Sequence, residues 1–220
     1  MTRTRTLDDP PSAAGDESAR MAELMGRYCD GQARAFHEIY ALLAPRILGY
    51  LIGLLGDRAT AEDLLQHTFL KLHLSRSAYV RGANPIPWLY TIAHRTCLDE
   101  LRRQKRSKVR VSVDGTLPFE PTTDITGSAE PHPQVDEQAI ARGMAALASL
   151  PETQRQAVLL TKIQGHSTAQ AASILGTTVG AIKVRAHRGY VALRRKLAAP
   201  RTQPLGLPDS TGLTLERPPS

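Results

Sequence analysis

Six lysine and arginine residues and no carboxylate lie between Lys183 and Lys196, which is one-sided for an ordinary solvated helix face. Lys183, Arg185, His187 and Arg188 fall on the first turns of a helix expected to start near Val179 and run to Leu197. Cationic side chains placed there can bind phosphates or the acceptor edge of guanine. Just ahead lies a short stretch, Thr168 to Leu175, that Ser167 can cap, followed by a tight turn at Leu175-Gly176-Thr177. Short helix, turn and longer basic helix are the layout of a helix-turn-helix, whose second helix enters the major groove. Gly176 suits the turn because a positive φ costs glycine little. Ile174, Leu175, Val179 and Ile182 are expected to fix the angle between the helices. That leaves Thr178, Gly180, Ala181, Lys183, Val184, Arg185, His187 and Arg188 facing outward. A small bundle with a basic surface would carry similar residues and bind nothing. The unit's place at the end of the chain, behind a linker, favours the DNA reader.

A second basic run spans His94 to Arg110, with seven lysines and arginines against Asp99 and Glu100. Arg76, Tyr79, Arg81, Asn84 and Trp88 precede it in a segment broken by Gly82, Pro85 and Pro87. Cations next to aromatic rings suit single-stranded nucleic acid, where bases stack and phosphates pair with charge. Basic residues at a helix C-terminus also favour the helix dipole, and a single tryptophan is commonly a core anchor. Trp88 is read first as core, and Arg102 and Arg103 as phosphate ligands.

Other chemistry is poorly represented. There is no Gly-rich phosphate loop and no nucleophile–base arrangement. His94 and Cys97 stand i,i+3 and could form half a zinc site, but a structural site needs four ligands and no second pair has the spacing. Neither a metal nor a cofactor is expected, and Cys97 is expected to be buried and inert. The chain has 220 residues, a formal net charge of +7 and 5% aromatic residues, which suits small aliphatic helical cores and an anionic partner. No unbroken apolar run approaches the roughly 18 residues of a membrane span, and the first residues hold no apolar leader core. A cytoplasmic protein without membrane insertion is expected.

Two helical blocks must position these residues, so the expected fold class is all-α. Residues 1–19 read as a disordered tail, 20–106 as the first block, 107–136 as a flexible Pro-rich linker, 137–199 as the second block and 200–220 as another tail. In the first block, apolar residues from Ala35 to Leu55 recur at helical spacing until Gly56-Asp57 stops them. Thr60 is the expected N-cap of the next helix, with Glu62 and Asp63 in its first turn and Leu64, Leu65, Phe69 and Leu72 inward. A third helix is expected from Pro87-Trp88 to Arg106. In the second block, helices are expected over Met144–Leu150, Gln154–Ile163, Thr168–Leu175 and Val179–Leu197. Val109–Val113 alone alternates like a strand.

Taken together, the blocks resemble the extracytoplasmic-function (ECF) group of the sigma-70 family of RNA polymerase sigma factors. The first is similar to region two, through Ala61-Glu62-Asp63-Leu64-Leu65-Gln66-His67-Thr68-Phe69, Pro87-Trp88-Leu89-Tyr90-Thr91-Ile92-Ala93-His94-Arg95 and Leu98-Asp99-Glu100-Leu101-Arg102-Arg103. The second is similar to region four, through Leu150-Pro151-Glu152-Thr153-Gln154-Arg155, Gly165-His166-Ser167 and Val179-Gly180-Ala181-Ile182-Lys183-Val184-Arg185-Ala186-His187-Arg188. The resemblance implies core polymerase as partner, held at the clamp coiled coil of its largest subunit and at its flap. It also implies promoter DNA and an anti-sigma factor as partners, and no catalysis by the chain itself. It puts Glu62, Asp63, Gln66, His67 and Phe69 at the clamp. Arg76, Tyr79, Arg81, Asn84, Trp88, Arg95, Arg102 and Arg103 fall at the minus-ten element, with the outward residues of the last helix at the minus-thirty-five element.

His67 stands where an acid is common, Arg95 where asparagine is, Val184 where serine is and Ala186 where leucine is. These departures bear on promoter sequence. The alternative reading is a helix-turn-helix repressor or activator that does not bind polymerase. It leaves the Ala61–Leu72 and Trp88–Arg106 stretches unexplained.

Overall fold

The computed structural model describes residues 13–113 and 137–198, and every regular element among them is a helix. Four helices make the first half: α1 (Ala13–Cys29), α2 (Ala33–Leu55), α3 (Arg58–Ser75) and α4 (Pro85–Val113). The second half holds α5 (Glu137–Ala148), α6 (Glu152–Val158), α7 (Thr168–Leu175) and α8 (Val179–Ala198). The fold is all-α in two helical regions, as the periodicity requires.

α2 is the centre of the first half. Ile39, Leu43, Ile47, Tyr50, Leu51 and Leu54 line its buried side, packed by α1, α3 and α4. It is long and apolar enough to cross a membrane by length and composition alone, and here its apolar side is protein core. Gly56 ends it in the left-handed region at φ 75°, its N–H bonded to the Ile52 carbonyl.

Several boundaries differ from the sequence reading. The tail expected over 1–19 gives way to helix from Ala13, and Met21, Leu24, Met25 and Tyr28 bury one face of it. Those four stand at i, i+3, i+4 and i+7, the helical pattern, so the first block holds four helices rather than three. Asp57, not Thr60, caps α3; its carboxylate accepts from the Thr60 N–H at 2.9 Å. α4 starts at Pro85 rather than Pro87, where the Asn84 side chain accepts from the Ile86 N–H at 2.9 Å. α4 also runs on to Val113, so the first residues of the expected linker, with the strand-like Val109–Val113, are helical. Helix propensity and a helix already nucleated upstream outweigh a short alternation. The remaining linker positions, 114–136, and both tail segments, 1–12 and 199–220, lie outside the described residues.

In the second half, α6 passes directly into a π turn at Leu159–Ile163. A capping box opens α7. Ser167 Oγ accepts from Gln170 N–H at 3.1 Å, and Gln170 Oε1 accepts from Ser167 N–H at 2.9 Å. Gly176 closes α7 in the left-handed region at φ 60°, as the turn needs. α6 and α8 pack closely because residue 189 is glycine: a Cβ there would lie 2.7 Å from Val158 Cγ2.

The halves do not stand apart. Buried residues of both form one continuous apolar cluster, with α7 against α4 and Leu159 against Gly53.

Candidate functional site

α8 presents the basic surface. Ile182 and Ala186 point into the core, and Thr178, Gly180, Lys183, Val184, His187 and Arg188 are exposed, with Ala181 and Arg185 half-buried. Helical spacing therefore sorts inner from outer residues as expected, with two corrections. Val179, expected to hold the inter-helix angle, is 39% exposed. Thr178 caps α8, its hydroxyl accepting from the Ala181 N–H at 3.2 Å, so that oxygen is engaged by the backbone. Tyr190 and Val191, one turn on from Ala186, are about half exposed.

Behind this face runs an open groove of about 790 Å³, with Ala186, Tyr190 and Val191 on its floor and Lys162, Lys183, Arg194 and Arg195 around it. Lys162 Nζ stands 5.8 Å above the Tyr190 ring, a cation–π distance.

α3 carries the polymerase candidates. Asp63, Gln66 and His67 are exposed on one side, and Glu62 is half-buried and paired with Arg58 at 2.8 Å. Phe69 is different. It is 4% exposed, with Phe36 edge-on at 6.1 Å and Tyr40 at 4.7 Å. A ring enclosed by two others supports the bundle and cannot meet a partner directly, which corrects its place among the contact residues.

The loop between α3 and α4 is built around aromatic stacking. Tyr79 lies on Trp88 with centroids 5.9 Å apart and planes 29° from parallel, and its hydroxyl donates to the Ala83 carbonyl. Trp88 is half-buried against the core, so one side anchors the loop while the rest stays accessible. Arg81 forms a two-pronged pair with Asp30 at 2.6 and 3.2 Å, which lowers the Asp30 pKa through that hydrogen bond. Arg76 donates to the His73 carbonyl at 2.9 Å. Asn84 caps α4, Arg95 is exposed, and Arg102 and Arg103 pair with Asp99 at 3.6 Å and Glu100 at 2.8 Å. The Arg102–Asp99 pair is exposed on both sides and contributes little to stability, whereas Glu100 is largely buried beneath an exposed Arg103.

Asp30, in the turn just after α1, carries no role that its type or spacing makes legible. Its pairing with Arg81, 51 positions away, holds the loop to the first helix, and only folding brings them together.

Cys97 is fully buried, and burial pushes its thiol up to about 12. It is unsuited to act as a nucleophile. His94 turns its Nδ1 to the Tyr50 hydroxyl at 3.0 Å, a structural use of the ring. Among the described residues no three His, Cys, Asp or Glu side chains gather as metal ligands.

Residues 39–107 match the family Sigma-70 region 2, and residues 144–193 match Sigma-70, region 4. RNA polymerase sigma factor CarQ of Myxococcus xanthus is 38% identical over 174 residues, 79% of this chain and 95% of that protein. ECF RNA polymerase sigma factor SigF of Caulobacter vibrioides is 34% identical over 183 residues, 83% of this chain and 96% of its own. The sigma factor RpoE from Bartonella quintana, solved in complex with the anti-sigma factor NepR, superposes with a TM-score of 0.62. That match is at 28% identity and covers 76% of this chain and 98% of RpoE. CnrH, solved with the cytosolic domain of CnrY, has the same fold at a TM-score of 0.59 and 21% identity, covering 80% of this chain and 96% of CnrH. Both sigma regions in this order, shared with relatives matched over nearly their whole length, make this chain a member of the ECF family of RNA polymerase sigma factors.

Proposed function

We propose that this sigma factor binds core RNA polymerase through α3, reads the minus-thirty-five element with α8, and captures the opened minus-ten strand with α4 and the loop before it. Asp63, Gln66 and His67, with Glu62 at their edge, are the clamp contacts. Thr178, Gly180, Ala181, Lys183, Val184, Arg185, His187 and Arg188 face the duplex. Arg76, Tyr79, Arg81, Asn84, Trp88, Arg95, Arg102 and Arg103 serve the single strand. The observation that carries this reading is that two cationic surfaces of different character sit on separate halves of one chain. One is a bare helix face suited to a groove. The other has stacked aromatic rings beside arginines, suited to unpaired bases.

No bond is made or broken by the protein itself in this mechanism. Binding energy for the open strand favours the melted promoter, and the polymerase makes RNA. Helices α1–α4 form the polymerase and minus-ten unit, and α5–α8 the minus-thirty-five unit, which also meets the polymerase flap. The protein acts in the cytoplasm and is held inactive there by an anti-sigma factor. Run-off transcription with core polymerase on a genomic fragment library tests the reading and returns both promoter elements. Transcripts that do not depend on added protein would sink it.

A further inference from the structure

The groove behind the basic face of α8 has an apolar floor, and no acid stands among the described residues that line it. Ala186 is buried at its base, while Tyr190 and Val191 are 46% and 52% exposed. Lys162, Lys183, Arg194 and Arg195 surround that floor, and all four are exposed. Among the described residues none of the four pairs with a carboxylate. Lys162 leans over the Tyr190 ring instead. Half-open apolar side chains ringed by cations suit an apolar segment that carries acids.

The chain supplies such a segment at the groove's edge. Ala198, the last residue of α8, is itself part of the wall, and residues 199–220 follow it. Residues 202–216 hold Leu205, Leu207, Leu213 and Leu215 with Asp209 and Glu216, and no lysine or arginine. Ala198 stands about 12 Å beyond Tyr190 along the helix, at ~1.5 Å per residue. The chain from Ala198 to Leu205 spans roughly 23 Å when extended, so Leu205 and Leu207 reach the floor with slack. Pro204 and Pro208 disfavour helix on either side of these two leucines. In extended backbone, residues two apart share a side.

We propose that residues 202–216 dock in this groove, with Leu205 and Leu207 on Tyr190 and Val191 and Asp209 among the rim cations, and so compete with promoter DNA for α8. Lys183 and His187 line the groove and also belong to the minus-thirty-five face. An occupant of the groove therefore covers part of what the duplex needs. The competition rests on the proposed minus-thirty-five reading; the docking does not. Arg201 and Arg217 balance Asp209 and Glu216, so residues 199–220 carry no net formal charge. Displacing them leaves the long-range attraction for DNA unchanged, and a gain in affinity reports uncovered surface.

Two measurements on the full chain test this. The double variant Leu205→Ser with Leu207→Ser should leave the groove open without changing charge. A fluorescent peptide of residues 199–220 should then bind the double variant about tenfold more tightly than the parent, whose groove is filled by its own segment. Adding Val191→Gln to the double variant should abolish that binding. In the second measurement, the double variant should bind a random-sequence duplex of about 20 base pairs roughly threefold more tightly than the parent. Free peptide should reverse the gain. A peptide that binds parent and double variant alike, or binds neither, overturns the docking and leaves the groove to another occupant. Equal duplex affinities for parent and double variant overturn the competition. If no form binds duplex DNA, the minus-thirty-five reading fails, and the peptide measurement still decides the docking.

Discussion

Asp63 and Phe69 stand six positions apart on α3 and have opposite fates. The carboxylate is exposed and the ring is shut between Phe36 and Tyr40. Reversing the charge at the first should therefore act on partners rather than on packing. Asp63→Arg is expected to abolish capture of core polymerase while leaving the helical circular dichroism unchanged. Normal capture by the folded variant would remove α3 from the polymerase contact. On α8, Arg185→Ala and Arg188→Ala should each weaken promoter binding by about 1–3 kcal/mol if they meet base edges. Transcription from a promoter with an altered minus-thirty-five element should be much less affected. Equal losses on both templates would mean that the two arginines only support the fold.

At the scale of elements, the caps were partly visible in the sequence. Ser167 and Gly176 mark both ends of α7 as expected, because a capping box and a left-handed terminus need particular side chains at particular places. Ser167→Ala should lower stability by about 1 kcal/mol, measured by denaturant unfolding, and reduce helix-turn-helix order. No change in midpoint would mean that the Gln170 half of the box suffices. Asp57 was harder to identify, since Thr60 is an equally good capping type three residues later. α1 was missed although Met21, Leu24, Met25 and Tyr28 spell out its face. Charged and small residues separate those four, and the polar residues before them read as tail. The π turn has no pattern in residue types at all. It lies between α6, which packs on α8, and α7, and it also meets α2.

At the scale of the molecule, the two halves close on a contact that includes an ionisable ring. His166 is 6% exposed, its Nε2 is buried without a hydrogen-bond partner, and burial, with Arg46 nearby, pushes its pKa down to about 4. Glu17 and Gln170 act in the opposite direction but do not prevail. His94, also held below its ordinary value by burial, lies on the α4 side. In the unfolded chain the His166 ring titrates near 6.5. Between about pH 6.5 and 4 the unfolded chain therefore takes up a proton that the folded form refuses, so folding stability falls as pH falls through that window. Above it this ring has no pH-linked effect on stability. Stability to denaturant should fall on acidification from pH 7 to 5. His166→Gln should flatten that response, and an equally steep response in the variant would place the sensitivity elsewhere.

Residue types alone made most of the helices, most of their inner and outer faces and the family legible, though not α1 or the outward turn of Val179. Each of these depends on residue type at short spacing, and short spacing survives without a fold. Lys183, Arg185, His187 and Arg188 could be assigned to an outward face because Ile182 and Ala186 had to turn inward. Contacts between distant positions were decided only by the tertiary structure. Asp30 on Arg81, Leu159 on Gly53 and Tyr90 on Gln164 join residues 51, 106 and 74 positions apart. No local period encodes such pairs, because they form only when packing of the whole core brings the helices together.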